Sequence, residues 1–144
     1  MAIGAAGAGG ATMALRWYST VVEAQDHHAL ARWWAEALGW DVAIATDEEA
    51  VVLPPWAREF VRILEFHHVP PGMVFVPVEH AKTTKNRLHW DFAPHTSDDR
   101  DAEIRRLIDM GARRIDVGAG DDATWTVLAD PEGNEFCVLS SRDM

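Results

Sequence analysis

Residues 129–139 read Ala129-Asp130-Pro131-Glu132-Gly133-Asn134-Glu135-Phe136-Cys137-Val138-Leu139, a turn running into a strand. Proline sets one backbone dihedral of the turn and glycine permits the reversal. In the strand, residues two apart share a face, so Glu135 and Cys137 look one way and Phe136 the other. The stretch has an echo earlier in the chain. Residues 70–78, PPGMVFVPV, align without gaps on residues 131–139, PEGNEFCVL. Both are entered through Pro-x-Gly, and the alignment sets Phe75 against Phe136 and Val76 against Cys137.

Working outward, each echo closes a similar run of elements. Residues 26–38 carry an i, i+3, i+4 stripe of Leu30, Trp33, Trp34 and Leu38, with Asp26 as cap and Gly39 as stop. Residues 98–110 carry Ala102, Ile104, Leu107 and Ile108 on one face, capped by Asp98 or Ser97 and ended by Gly111. Strands are expected at 17–23, 41–46 and 50–53 around the first helix. Around the second they are expected at 87–92, 114–117, 124–128 and 135–139, rich in β-branched and aromatic residues. The pattern is strand, helix, three strands, twice over. Residues 54–69, PPWAREFVRILEFHHV, stand outside it as an insertion whose periodicity allows a short helix or a strand, and which is a candidate lid.

The chain of 144 residues suits one domain with its own core. Residues 1–14 read as a flexible extension and 15–144 as the domain, with modules at about 15–80 and 85–141. A single cysteine forms no internal disulfide and fits a reducing, cytoplasmic setting. A net charge of −10 argues against nucleic acid as a partner and suits either plain solubility or a cationic ligand. No apolar run is long enough to span a bilayer. Seven tryptophans supply core and, for some, ligand-stacking walls.

The duplicated βαβββ pattern, with ALARWWAEALGW, KNRLHWDF and LADPEGNEFCVL, resembles the vicinal oxygen chelate superfamily, of glyoxalase and bleomycin-resistance type. The resemblance implies an α+β fold: two modules form a cupped mixed sheet with the helices outside, in a homodimer. Metal-dependent members of that superfamily place ligands on the first and fourth strands of each module. Carried onto this chain, the four slots are Ser19, Val76, His89 and Cys137. Valine ligates nothing and a serine hydroxyl is a poor ligand. The expectation is therefore no cofactor; a divalent metal, if bound, would use His89 and Cys137, helped by Asp91, Glu135 or by Glu65, His67 or His68 of the insertion.

His89 and Glu135 are the candidate acid–base residues, and Asp91 shares their face and is placed to tune an imidazole. The competing readings are a hydrogen-bonded pocket histidine, a glutamate paired with a lysine or arginine, and an aspartate tied to local backbone. Cys137 reads as a nucleophile or as a small buried hydrophobe. Trp17, Ser19, Val76, Asp91, Trp125 and Cys137 are expected to line a ligand pocket. Lys82, Lys85, Asn86 and Arg87 form a basic stretch that locks the inter-module loop or holds an acidic group, while His27 and His28 are expected at the surface. The expected function is recognition of a small molecule, with or without metal-free proton chemistry. The alternatives are sequestration of a drug-like cation and a metal-dependent lyase or dioxygenase; glyoxalase I activity is disfavoured by the missing ligands.

Overall fold

The computed structural model describes residues 14–118, 120 and 123–144. The N-terminal extension up to residue 13, and residues 119, 121 and 122 of the GAGDDATW segment, lie outside them. The first module contains β1 (Ser19–Ala24), α1 (His27–Leu38), β2 (Asp41–Ala45), β3 (Ala50–Leu53) and β4 (Gly72–Pro77), with a short helix α2 (Ala57–Phe60) between β3 and β4. The second contains β5 (Trp90–Phe92), α3 (Arg100–Asp109), β6 (Arg113–Arg114), β7 (Trp125–Ala129) and β8 (Glu135–Leu139).

The duplication read from the sequence is present in the topology. One four-stranded sheet has the order β1-β4-β3-β2 and the other β5-β8-β7-β6. In each, the first strand runs parallel to the last and the other pairings are antiparallel. Val22 pairs with Phe75 and Glu23 with Val76; Trp90 pairs with Phe136 and Asp91 with Cys137. Equivalent positions thus sit side by side in equivalent registers.

Local chemistry places the helices. Asp26 caps α1 by accepting from the Ala29 amide, and Gly39 ends it in the left-handed region at φ 65°. The cap of α3 is Asp99, one residue beyond the expected Asp98, and its side chain accepts from the Ala102 amide. His27 is buried rather than exposed, its ring Nε2 lying 2.9 Å from the Thr46 carbonyl. That contact ties the first turn of α1 to the β2–β3 loop.

Alternation splits each sheet into two faces. Ala24, Ala50, Val52, Met73 and Phe75 point into the core from the first sheet, and Phe136, Val138 and Leu128 from the second. Both sets belong to one cluster with Leu30, Trp33 and Trp34 of α1. Trp34 is the hinge pin of this packing. Its ring lies 4.9 Å from Phe136 and 5.1 Å from Trp90, so a first-module helix fills the core of the second module.

The Asp130–Asn134 turn clasps the modules from the other side. Asp130, fully buried, accepts from the Trp34 indole N–H at 3.0 Å and from the backbone amides of Glu132 and Asn134. Glu132 accepts from the amides of Gln25 and Asp26, the entry to α1, at 2.7 and 3.0 Å. Gly133 makes the reversal at φ 91°. The opening motif is thus a turn whose carboxylates reach across to the other module.

The insertion combines α2 with a 3-10 turn (Phe66–His68), so the helical reading of its periodicity holds for its first part. Arg58 donates to the Ala43 carbonyl, and Arg16 is sandwiched over the Tyr18 and Phe66 rings at 4.5 Å from each centroid. None of residues 54–69 lines the cavity described next, so the insertion does not form its lid.

Candidate functional site

Strands β1 and β5 are the edge strands of their sheets, and a cavity of about 1140 Å³ lies between them and the inter-module connection. Trp34 forms part of its floor. Trp17, Ser19 and Glu23 come from β1 and the residues before it, and Lys82, Arg87, His89, Trp90 and Glu135 from the second side. Tyr18 and Ala24 turn their carbonyls toward β4, accepting from Gly72 and Val78. In a strand the intervening residues Ser19, Val21 and Glu23 therefore turn their backbone groups toward the cavity.

The sequence-derived candidates divide between this cavity and the open sheet face beside it. Trp17, Ser19, His89 and Glu135 line the cavity. Asp91, Cys137 and Val76 do not; they sit on the solvent-side faces of the two sheets, opposite the core. Trp125 is 43% exposed at the start of β7, on the same face as Val127, which pairs with Cys137. His80, Trp34 and Trp90 line the cavity without having been singled out. The last two read as core from their spacing, and they are: their edges form the floor of a cavity that only the meeting of two modules creates.

Glu135 is not free. Its carboxylate accepts from Lys82 Nζ at 2.9 Å and from the Asn86 amide at 3.1 Å. Burial pushes its pKa up, but the Lys82 ammonium and the backbone N–H bonds outweigh this and hold the carboxyl below the ordinary range. A base with both oxygens engaged and a lowered pKa is poorly matched to proton abstraction near neutrality. The basic stretch thus acts here as a lock on the connection, with Asn86 also bonding Asn134 at 3.1 Å.

That lock has a pH signature. A folded-state pKa below the unfolded value gives stability that is present above the ordinary value of 4.5 and lost as pH falls through the folded value. Glu135→Gln is expected to cost about 1 kcal/mol at neutral pH. In urea titrations that gap to the unmodified chain should close in acid; a gap constant from pH 7 to 3 would refute the lock.

His89, Asp91 and Cys137 gather on the second module's open face. Their donor atoms all lie within 4.8 Å of one another, and His89 Nε2 is 3.3 Å from Asp91 Oδ1. His89 and Asp91 have side chains about half exposed, whereas Cys137 is buried. Burial and the Asp91 carboxylate push the Cys137 thiol up, so it stays protonated and is a weak nucleophile on its own. His89 meets the requirement for an acid–base group: one ring nitrogen beside a carboxylate, on a residue that also borders a cavity.

The register also shows what the first module offers. Since Glu23 matches Asp91 and Val76 matches Cys137, the residue matching His89 is Val21. The slot expected from the resemblance, Ser19, lies two residues earlier on the same face. By either route the first module supplies no histidine or thiol. Glu65 and His68 lie 3.7 Å from each other, and among the described residues neither belongs to a metal-ligand cluster.

Comparison with known proteins agrees with this architecture. A glyoxalase/bleomycin resistance protein/dioxygenase family enzyme from Burkholderia phytofirmans PsJN superposes with a TM-score of 0.64 at 15% identity, covering 89% of this chain and 100% of that one. A fosfomycin resistance protein from Mesorhizobium loti gives 0.62 at 11% identity, covering 89% and 92%. A bleomycin-binding protein from Streptomyces verticillus, solved with copper(II)-bleomycin, gives 0.54 at 15%, covering 91% and 100%. At these identities the likeness establishes the fold. A search of curated protein sequences finds no match to this chain. The family model described as a glyoxalase-like domain matches residues 19–139, nearly the whole described fold, and the chain belongs to that family within the vicinal oxygen chelate superfamily.

Proposed function

We propose that the protein binds a small, partly apolar molecule in the cavity between β1 and β5, and that His89 moves a proton on it, positioned by Asp91. The observation that carries this reading is the meeting of an indole-walled cavity with an imidazole backed by a carboxylate at 3.3 Å. Trp17, 65% exposed in the free protein and fixed by its N–H bond to the Ser19 carbonyl at 3.2 Å, is a stacking surface at the rim. Similarity to a fosfomycin resistance protein and a bleomycin-binding protein supports a small-molecule ligand without naming one.

A second reading is sequestration without chemistry. Glu23 lines the cavity, and its carboxylate takes part in no ion pair or side-chain hydrogen bond among the described residues, so a cationic ligand has a counter-charge nearby. Tryptophan fluorescence against a panel of aromatic cations, anions and neutral compounds separates the readings. Saturable quenching is expected, and Trp17→Ala should weaken it about tenfold, the worth of one stacking contact of about 1.5 kcal/mol. His89→Ala should leave binding in place and abolish turnover if the protein is an enzyme. No saturable quenching by any compound, or turnover that survives His89→Ala, would sink the leading reading.

A further inference from the structure

We infer that β1 is a template for strand addition, and that the ligand of the cavity is a short extended peptide or peptide-like amide hydrogen-bonded along it; this rests on the cavity reading above. Tyr18 and Ala24 direct their carbonyls to β4, and alternation along the strand puts Thr20 and Val22 with them. Ser19, Val21 and Glu23 carry the outward set. The Ser19 carbonyl accepts from the Trp17 indole N–H at 3.2 Å, as it would from a ligand amide. The Ser19, Val21 and Glu23 amides and the Val21 and Glu23 carbonyls have no hydrogen-bond partner among the described residues. From Ser19 to Glu23 this row runs roughly 13 Å, at about 3.3 Å per residue.

The other sheet edges are blunted and this one is not. β2 is offset by a bulge between Val42 and Ile44, β5 is three residues long, and β6 is two residues long, both arginines. Bulges, short length and charge are the devices by which natural sheets block pairing at an edge. β1 has six residues in unbroken register with β4, and neither proline nor lysine. Enclosure decides what pairs with it. Residues of the same chain, among them Lys82, Arg87 and His89, wall the far side of the cavity. A second copy would have to bring its whole sheet into that space, whereas one added strand needs only about 4.8 Å on the hydrogen-bonding side. The volume of about 1140 Å³ lies just above the range of small-molecule sites, about 300–1,000 Å³, and suits a chain of several residues. Side chains of an added strand alternate, so every second one falls on the floor formed by Trp34 and Trp90 and is expected to be apolar.

The test uses the full-length chain and a set of capped pentapeptides with Leu, Val or Phe at the first, third and fifth positions and Thr between them. Members of the set are expected to give saturable tryptophan quenching and to slow hydrogen exchange of the Val21 and Glu23 amides at least about tenfold at saturation. A ligand held by side chains alone would leave those two amides exchanging as before. Val21→Pro removes one outward N–H without touching the β1–β4 bonds, a substitution that edge strands accept. It should weaken the best peptide about tenfold, the loss of one hydrogen bond, whereas Val21→Thr keeps the N–H and should retain binding. Circular dichroism checks the fold of both variants. No quenching by any peptide of the set, unchanged exchange at Val21 and Glu23, full affinity in Val21→Pro, or an equal loss in Val21→Thr would overturn strand addition. Saturation by a non-peptide aromatic compound with none by the peptides would remove it and leave the cavity reading standing; silence from both would remove the two together.

Discussion

Asp130→Ala is expected to destabilise the protein by about 3–5 kcal/mol, a fall of roughly 10 °C in Tm for a chain of this length. The side chain is fully buried and accepts from the Trp34 indole, the Glu132 and Asn134 amides and the Asn134 side-chain amide. Truncation leaves the buried indole N–H unpaired, which alone costs about 1–3 kcal/mol, and removes the acceptor that orders the turn. The second effect spreads. Glu132 holds the Gln25 and Asp26 amides only while the turn keeps its shape, so loosening Asp130 also frees the entry to α1. Asp130→Asn keeps one acceptor oxygen and should fall between the two. Urea unfolding reads the difference directly; a loss below about 1 kcal/mol for Asp130→Ala would mean that the clasp is not what joins the modules.

The contrast between this turn and the site shows what one-dimensional pattern can carry. The turn's glycine and proline are demands of local backbone, and the β8 alternation is a demand of one strand, so both were legible in eleven residues. The repeat was legible because duplication leaves residues 70–78 and 131–139 in the same register, and the sheets preserve it. Helix α1 was legible to the residue through Asp26 and Gly39. The bond from Trp34 to Asp130 spans 96 positions, and no local pattern encodes such a distance. The same holds for Lys82 and Glu135, 53 positions apart: the sequence offered a pairing among alternatives, and only the tertiary fold selected it. The position matching His89 is Val21 rather than the expected Ser19, because alternation fixes the face of a strand and not its register. Ser19 and Val21 lie two residues apart, and in a strand two residues keep the face but move along it, so only the pairing of β1 with β4 tells them apart.

Trp34→Ala is expected to match or exceed the Asp130 loss, at about 3–5 kcal/mol, because it removes the largest buried side chain of the shared core. The indole is 1% exposed and packs on Trp33, Trp90, Phe92 and Phe136 with ring centroids 4.9–5.4 Å apart. Trp34→Phe keeps an aromatic ring and gives up the N–H, leaving Asp130 one donor short; it should cost about 1–3 kcal/mol. The double variant Trp34→Phe with Asp130→Ala should cost less than the sum of the two, since both remove the same hydrogen bond. Trp34 also separates two spaces: it borders the cavity between β1 and β5 and a second one of about 650 Å³ between α1 and α3. Alanine at 34 should therefore join them and deepen the ligand cavity while the fold weakens. Trp17→Ala, at an exposed rim position, should do the reverse, lowering ligand affinity with less than about 1 kcal/mol lost in stability. If the two variants shifted stability equally, Trp34 would not be the residue through which the first module fills the core of the second.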